Sequence, residues 1–258
     1  MREGGPDERL ARRMVETGSM TELAAAPPVS DPIISAHGLT RIFGSGETAV
    51  TAINQVTLDV PRGAVLAVVG RSGSGKTTLL NLLSGLDRPT DGKAFFQGRD
   101  LTTLSEAELV ELRRSKVGFV FQSFGLMPLL SALENVELPL HISGVSWRER
   151  RRRAYESLEL VGLGSRAKHR PYELSGGEQQ RVSIARSLVS GPDVIFADEP
   201  TGELDTATAQ SIGEILQEVA REKKATVIMA THDLTLAGIS DYVVHLVDGA
   251  LEQGDQTA

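Results

Sequence analysis

The hydrophobic residues of the chain occur mainly in short continuous runs separated by polar and glycine-rich segments. Five of these runs have the length of a strand: Val65–Val69, Val117–Phe121, Val194–Ala197, Thr226–Ala230 and Tyr242–Val247. Continuous hydrophobicity is typical of strands buried on both faces of a parallel sheet. Two earlier segments, Ile33–Leu39 and Val50–Val60, have an alternating pattern instead. The chain is therefore predicted to have an α/β fold with a largely parallel sheet.

Residues 123–172 differ from this pattern, because part of this segment has helical spacing. Ser146 and Glu149 have the spacing of a capping box, and helical periodicity continues to Val161, just before Gly162. We therefore expect an inserted helical subdomain over about 123–172. The basic run at 148–153 allows an anionic partner, but interspersed glutamates favour a solvated helix face.

The first 31 residues have the composition of an appendage. Asp7–Glu16 is compatible with a short charged helix, whereas Ala24–Pro32 is rich in alanine and proline, as linkers are. We expect a disordered tail over 1–31, followed by one domain over 32–258. The charged N-terminus lacks the apolar segment of a secretory signal.

Composition narrows the class of protein. Of the 258 residues, 40% are hydrophobic and 24% are charged, as in ordinary globular proteins. The net charge of -7 disfavours a protein that coats nucleic acid. With no cysteine, disulfides and thiolate chemistry are excluded. No apolar run approaches the roughly 18 residues of a spanning helix, so any membrane-spanning part is expected from other chains.

A glycine-rich segment after the run Val65–Val69 matches the pattern G-x-x-x-x-G-K-[ST] of phosphate-binding loops. Glycines let backbone N–H groups converge on phosphate oxygens, and the following helix adds its positive end. A plain glycine-rich turn is the alternative, but the strand before and the helix Thr77–Leu83 after it favour a nucleotide site. The candidate nucleotide-binding residues are Gly70, Arg71, Ser72, Gly73, Ser74, Gly75, Lys76, Thr77 and Thr78.

Two carboxylates follow the predicted strand Val194–Ala197. The carboxyl end of a parallel strand is where open α/β sheets bind ligands. Asp198 suits a Mg²⁺ site together with the Thr77 hydroxyl, and Glu199 suits a general base that orients the attacking water. A surface turn through Pro200 is the alternative, and the upstream phosphate loop favours the catalytic interpretation.

Two further polar residues end predicted strands on the same side. His232 follows Thr226–Ala230 and is a candidate to sense the γ-phosphate, although a single histidine is often structural. Gln122 follows Val117–Phe121, and its neutral amide can contact both the metal and the attacking water. We therefore place Gln122 among both the catalytic and the metal-site candidates.

The segment Leu174–Arg181 reads Leu-Ser-Gly-Gly-Glu-Gln-Gln-Arg. Ser175 and Glu178 predict a capping box at the start of a helix. Helix capping alone is the simpler interpretation, yet it requires neither Gly176 nor Gly177. The two glycines leave the helix end open to an anion, with no evident ligand in the same chain.

With this signature, the sequence over about 33–253 resembles the ATP-binding cassette ATPases. The resemblance implies a P-loop NTPase core with a mostly parallel sheet, a small antiparallel β subdomain and an inserted helical subdomain. It also implies a homodimer in which ATP is sandwiched between one chain's P-loop and the partner's signature. The further positions that it implies are Phe43 for aromatic stacking, Gln122, the segment Glu203–Asp205 with Asp205 at the nucleotide, and His232.

Three segments resemble the branch of this family that contains macrolide exporters and lipoprotein-release ATPases: Gly118–Gln122, Leu133–Pro139 and Ala197–Gly202. The resemblance implies a separately encoded permease, a function in export or mechanotransmission, and a place at the cytoplasmic face of the membrane. Phe43, Arg71 and Glu203 depart from residues that are common in the branch. None of them removes a group needed for hydrolysis.

Two other functions fit the same motifs. A non-transport cassette ATPase would act on DNA or ribosomes, but such proteins usually carry two cassettes, and this chain has one cassette and a negative charge. A nucleotide-dependent switch would resemble the cell-division branch of the family. We therefore expect ATP and Mg²⁺ as ligands, a permease partner and no nucleic acid.

Overall fold

The computed structural model describes residues 21–22 and 31–252 of the chain. The expected helix over Asp7–Glu16, and the linker up to residue 30, lie outside the described residues. Thr21–Glu22 forms a two-residue strand, β1. The disordered tail over 1–31 therefore stays a prediction for the residues that are not described.

The strands follow the hydrophobic runs closely. Beyond β1 they are β2 Ile34–Phe43, β3 Val50–Val60, β4 Val65–Val69, β5 Asp91–Phe96, β6 Arg99–Asp100, β7 Val117–Phe121, β8 Val194–Asp198, β9 Thr226–Thr231, β10 Tyr242–Val247 and β11 Ala250–Leu251. All seven predicted strands form, although β2 extends four residues beyond the predicted Leu39, because Arg41, Ile42 and Phe43 continue to pair with β3.

The larger sheet has the order β1-β10-β4-β9-β8-β7, with every neighbouring pair parallel and β11 added antiparallel to β10. The smaller sheet is antiparallel, with the order β3-β2-β5-β6. This pair of sheets confirms the expected fold class. The parallel strands β4, β7, β8 and β9 end at one edge, where the candidate site residues lie.

Seven α-helices are described. They are α1 Lys76–Leu83, α2 Glu106–Lys116, α3 Ala132–Ile142, α4 Trp147–Leu160, α5 Gly176–Leu188, α6 Thr206–Lys223 and α7 Leu234–Gly238. None of the helices in the described ranges is long and apolar enough to cross a membrane.

The segment 123–172 contains α3 and α4, and their apolar faces pack against α5. The capping box predicted at Ser146 is wrong, because the Ser146 side chain makes no capping hydrogen bond. The Glu149 carboxylate pairs instead with Arg152, at 2.7 Å. Helix α4 nevertheless begins at Trp147, and Gly162 with φ 73° follows its end, as the sequence predicts.

Two hydrophobic clusters cover the two faces of the parallel sheet. Along β4, Val65 and Ala67 point into one cluster, whereas Leu66 and Val68 point into the other. Both faces of the strand are therefore buried, which explains why the sequence is continuously apolar there.

Candidate nucleotide site

The loop between β4 and α1 requires glycine at particular places. Gly73 and Gly75 have φ values of 83° and 104°, a region that favours glycine. A Cβ atom at Gly75 would collide with the carbonyl oxygen of Ala52, and one at Gly70 with the carbonyl oxygen of Leu246. The loop is thus folded tightly against β3 and β10, and α1 begins directly after it at Lys76.

The ammonium group of Lys76 lies inside this loop. Its side chain is only 6% exposed, and Nζ donates to the carbonyl oxygens of Gly70, at 2.8 Å, and Arg71, at 3.1 Å. Nζ also lies 3.2 Å from Oε1 of Glu199. A buried ammonium with carbonyl and carboxylate neighbours is a fixed positive charge at the start of α1.

Thr77 and Asp198 are joined across the site. The Thr77 hydroxyl donates to the Asp198 carboxylate, with 2.8 Å to Oδ2 and 3.1 Å to Oδ1. Burial raises the pKa of Asp198, the hydrogen bond from Thr77 lowers it, and the neighbouring Glu199 charge raises it further. The net effect is a pKa above the ordinary value for an aspartate. These oxygens are hard ligands of the kind that Mg²⁺ prefers.

Glu199 has an unusual backbone conformation for a residue with a side chain. Its φ is 46°, and its N–H donates to the carbonyl oxygen of Ala230 at 2.9 Å. This bond to β9 turns the carboxylate toward His232, whose Nδ1 lies 2.8 Å from Oε2. The acceptor is a carboxylate, so Nδ1 carries the proton. Positive φ at a non-glycine residue is a strained geometry that clusters at functional sites.

Lys76, Thr77, Glu199 and His232 line one cleft of about 390 Å³, and Asp198 lies behind Thr77, which it contacts. Its walls combine the P-loop with the ends of β7, β8 and β9: Ala52, Ser72, Gly73, Gly75, Lys76, Thr77, Thr78, Gln122, Glu199 and His232. Gly70, Arg71 and Ser74 line an adjoining cavity, which shares Ser72, Gly73 and His232. Ala52 was missed by the sequence reasoning, since an alanine in a half-buried strand gives no signal of its own.

The remaining predicted residues do not line the cleft in this chain. Phe43 ends β2, and the Arg41 guanidinium stacks on its ring at 4.5 Å. Ser175 caps α5 and forms the predicted capping box with Glu178. Asp205 caps α6 by accepting from the Thr208 N–H at 3.1 Å.

Gly176 and Gly177 complete this second group. The Cβ position of Gly176 is 3.3 Å from a methyl carbon of Leu204, and that of Gly177 is 2.5 Å from a methyl carbon of Thr208. The start of α5 therefore packs against the start of α6. Together, Ser175, Gly176, Gly177 and Asp205 form a surface separate from the P-loop cleft.

A tightly folded P-loop with a buried lysine, beside two carboxylates at the end of a parallel strand, defines the class of P-loop nucleoside triphosphatases. The family described as ABC transporter matches residues 53–202. The chain belongs to the ABC transporter family and is an ATP-binding ATPase subunit of it.

Several relatives support this assignment. An ABC transporter ATP-binding protein of Thermotoga maritima, itself uncharacterized, is 47% identical over 212 residues, which cover 82% of this chain and 90% of the relative. The macrolide export ATP-binding/permease protein MacB of Vibrio parahaemolyticus is 44% identical over 223 residues. These residues cover 86% of this chain but 34% of MacB, so the chain spans about a third of that relative's length.

A solved structure has the same fold. It is a dimeric, post-hydrolysis state of an ATP-binding cassette bound to ADP and Pi. The structures agree with a TM-score of 0.78 and 41% sequence identity, over 85% of this chain and 96% of the other.

Proposed function

We propose that two copies of this chain close around two ATP molecules, and that hydrolysis reopens them to drive a separately encoded permease in export or mechanotransmission. The observation that carries this proposal is the separation of two surfaces in one chain. The P-loop cleft holds Lys76, Thr77 and Glu199, whereas the glycine-rich start of α5 lies outside it. The dimeric cassette with ADP and Pi supports the same arrangement.

The roles within the cleft follow from its geometry. The P-loop and Thr78 bind the phosphates of ATP, and Phe43 offers an aromatic face to the adenine ring. Thr77 and Gln122 line the cleft, and the Asp198 carboxylate is hydrogen-bonded to Thr77, so the three side chains offer a set of oxygen donors that fits Mg²⁺. When bound, Mg²⁺ neutralises phosphate charge and orients the terminal phosphoryl group.

Glu199 is the proposed general base, with His232 as its positioning residue. The carboxylate is held between Lys76 and His232. Phosphate oxygens at the P-loop compete with the Glu199 carboxylate for the Lys76 ammonium. This competition frees Oε1 of Glu199 to contact an attacking water. The bond to His232 then keeps Oε2 in place, so the base is oriented without relying on its strained backbone alone.

The start of α5 is the proposed second half of the partner's site. Ser175 and two glycines leave backbone N–H groups close to the surface, and a helix N-terminus favours anionic phosphate. Asp205 caps α6 directly beside it. Since none of these groups reaches the cleft of the same chain, they act on the nucleotide of the second copy.

The permease surface is proposed to be a groove of about 460 Å³ beside α3, the first helix of the predicted helical subdomain 123–172. Its exposed apolar members include Val110, Phe121 and Ile142, with 49%, 42% and 65% of their surface exposed. Exposed apolar patches of this kind mark protein contacts. Phe121 precedes Gln122, so this groove adjoins the nucleotide cleft, and the chain would sit at the cytoplasmic face of the membrane.

The proposal is tested by ATPase assays on Glu199→Gln with Mg²⁺ and the co-purified permease. We expect hydrolysis to fall by about 10²–10⁴-fold while ATP still binds, because only the base is lost. Glu222→Gln, an exposed carboxylate at the far end of α6, is the matched control. Turnover by Glu199→Gln at the rate of the unmodified chain would refute the assignment of the base.

A further inference from the structure

Two oppositely charged side chains beside the site have no partner within the part of the chain that the structure describes. Arg71 lies in the P-loop, and Glu203 lies between β8 and α6. Both are exposed, and neither side chain forms a hydrogen bond or an ion pair with a described residue. The carboxylates near Glu203 are engaged, because Glu199 pairs with Lys76 and Asp205 caps α6.

The backbone around Glu203 is tied to the start of α5. The Gln180 amide, fully buried in α5, donates to the carbonyl oxygen of Pro200. On the other side of Glu203, Leu204 packs against Gly176 at 3.3 Å from its Cβ position. A partner that contacts the start of α5 therefore also meets Glu203.

Arg71 has the matching position on the opposite surface. The Lys76 ammonium donates to the carbonyl oxygen of Arg71 at 3.1 Å, and this hydrogen bond fixes the backbone at Arg71. Apart from Lys76, which is buried, Arg71 is the charged residue of the loop over 70–78. Whatever covers the P-loop therefore meets an exposed guanidinium at its rim.

We propose that Glu203 of each copy pairs with Arg71 of the other copy, and that these two symmetric ion pairs select and align the second copy. The inference rests on the proposed function, because the ATP-sandwiched dimer is what brings the start of α5 onto the partner's P-loop. Two-fold symmetry makes each contact occur twice, so one substitution in the chain alters both pairs. Complementary charge at an interface rim mainly selects the partner and its orientation.

The test is a charge swap in Glu199→Gln protein with ATP and Mg²⁺, read by sedimentation as the dimer dissociation constant. Arg71→Glu and Glu203→Arg each place like charges at both contacts, and we expect each to weaken the dimer about tenfold. The double variant restores opposite charges, so its dissociation constant should return to within about threefold of the parent. ATP affinity is measured separately in dilute protein, which distinguishes an effect of Arg71 on nucleotide binding from an effect on the dimer.

Glu222→Arg is the matched control, because it reverses an exposed glutamate at the other end of α6. Combined with Arg71→Glu, it should restore nothing. If the double variant weakens the dimer by as much as the two single substitutions combined, the ion pair is refuted and the proposed function is unaffected. A parent Glu199→Gln protein that stays monomeric with ATP would instead refute the dimer itself, and the ion pair with it.

Discussion

Lys76 and Glu199 face each other across the cleft, with 3.2 Å between Nζ and Oε1. One residue begins α1 at the end of the P-loop, and the other follows β8, 123 positions later in the chain. Their contact joins the ammonium proposed to bind phosphate oxygens to the carboxylate proposed as the general base. In the proposed mechanism, one ammonium group therefore couples ATP binding to the release of the general base.

Replacing Lys76 with alanine is expected to weaken ATP binding by at least about 100-fold, since a buried ammonium at the phosphates is lost. Titration with a fluorescent ATP analogue measures the affinity. Lys224→Ala, which removes an exposed lysine at the end of α6, is the control and should bind as the unmodified chain does. An unchanged affinity in Lys76→Ala would place the nucleotide elsewhere.

Replacing Asp198 with asparagine should separate stability from activity. Its pKa is raised in the folded chain, so its ionised form is less favourable there than in the unfolded chain. The folded state accordingly loses stability as the pH rises from the ordinary aspartate pKa of 3.8 to the raised value, and this loss persists at higher pH. Asp198→Asn should therefore raise the melting temperature at pH 7 by about 1–4 °C.

The gain should shrink when melting is measured near pH 4, because a larger fraction of Asp198 is protonated there than at pH 7. Mg²⁺-dependent ATP hydrolysis should fall by at least about 100-fold in the same variant, because a proposed metal ligand is lost. If the difference in melting temperature between Asp198→Asn and the unmodified chain is smaller at pH 7 than at pH 4, burial does not raise the pKa of Asp198.

His232→Ala removes the 2.8 Å contact that orients Glu199. We expect kcat to fall by about 10–100-fold with little change in KM, because a positioning interaction is lost rather than a phosphate contact. Steady-state kinetics with the permease present separates the two constants. A rise in KM alone would show that His232 binds ATP and does not position the base.

Ile142→Glu places a charge in the apolar groove beside α3, where Ile142 is 65% exposed. We expect the permease to be lost in co-purification, while ATP binding by the isolated chain stays within about twofold. Val247→Glu, another exposed aliphatic outside the groove, is the control and should retain the permease. Recovery of ribosomes or DNA instead of a membrane protein would favour a non-transport ATPase.

Much of this architecture could be predicted because it depends on local sequence. Continuous apolar runs located the buried strands, and the P-loop pattern located the start of α1. Contacts between distant segments could not be predicted in the same way. The turn of Glu199 toward His232 depends on a bond from its N–H to Ala230 on β9, which only the sheet order provides.

The capping box predicted at Ser146 is absent because its glutamate has a competing partner. Ser146 has the spacing of a capping box, yet Glu149 pairs with an arginine one helical turn away, Arg152, instead of with the cap. At Ser175 the same pattern holds, because Glu178 accepts from the Ser175 N–H at 2.9 Å. Sequence spacing alone does not distinguish Ser146 from Ser175, because the outcome depends on which neighbouring group the glutamate contacts.

The proposed active unit is a dimer with ATP between its halves. Its most direct test is the sedimented mass of Glu199→Gln protein with ATP, beside the same protein with Ser175→Arg added. We expect twice the chain mass of 27.7 kDa and two bound ATP for the first protein, and a monomer that still binds ATP for the second. If both proteins sediment as monomers with bound ATP, the ATP-sandwiched dimer is refuted.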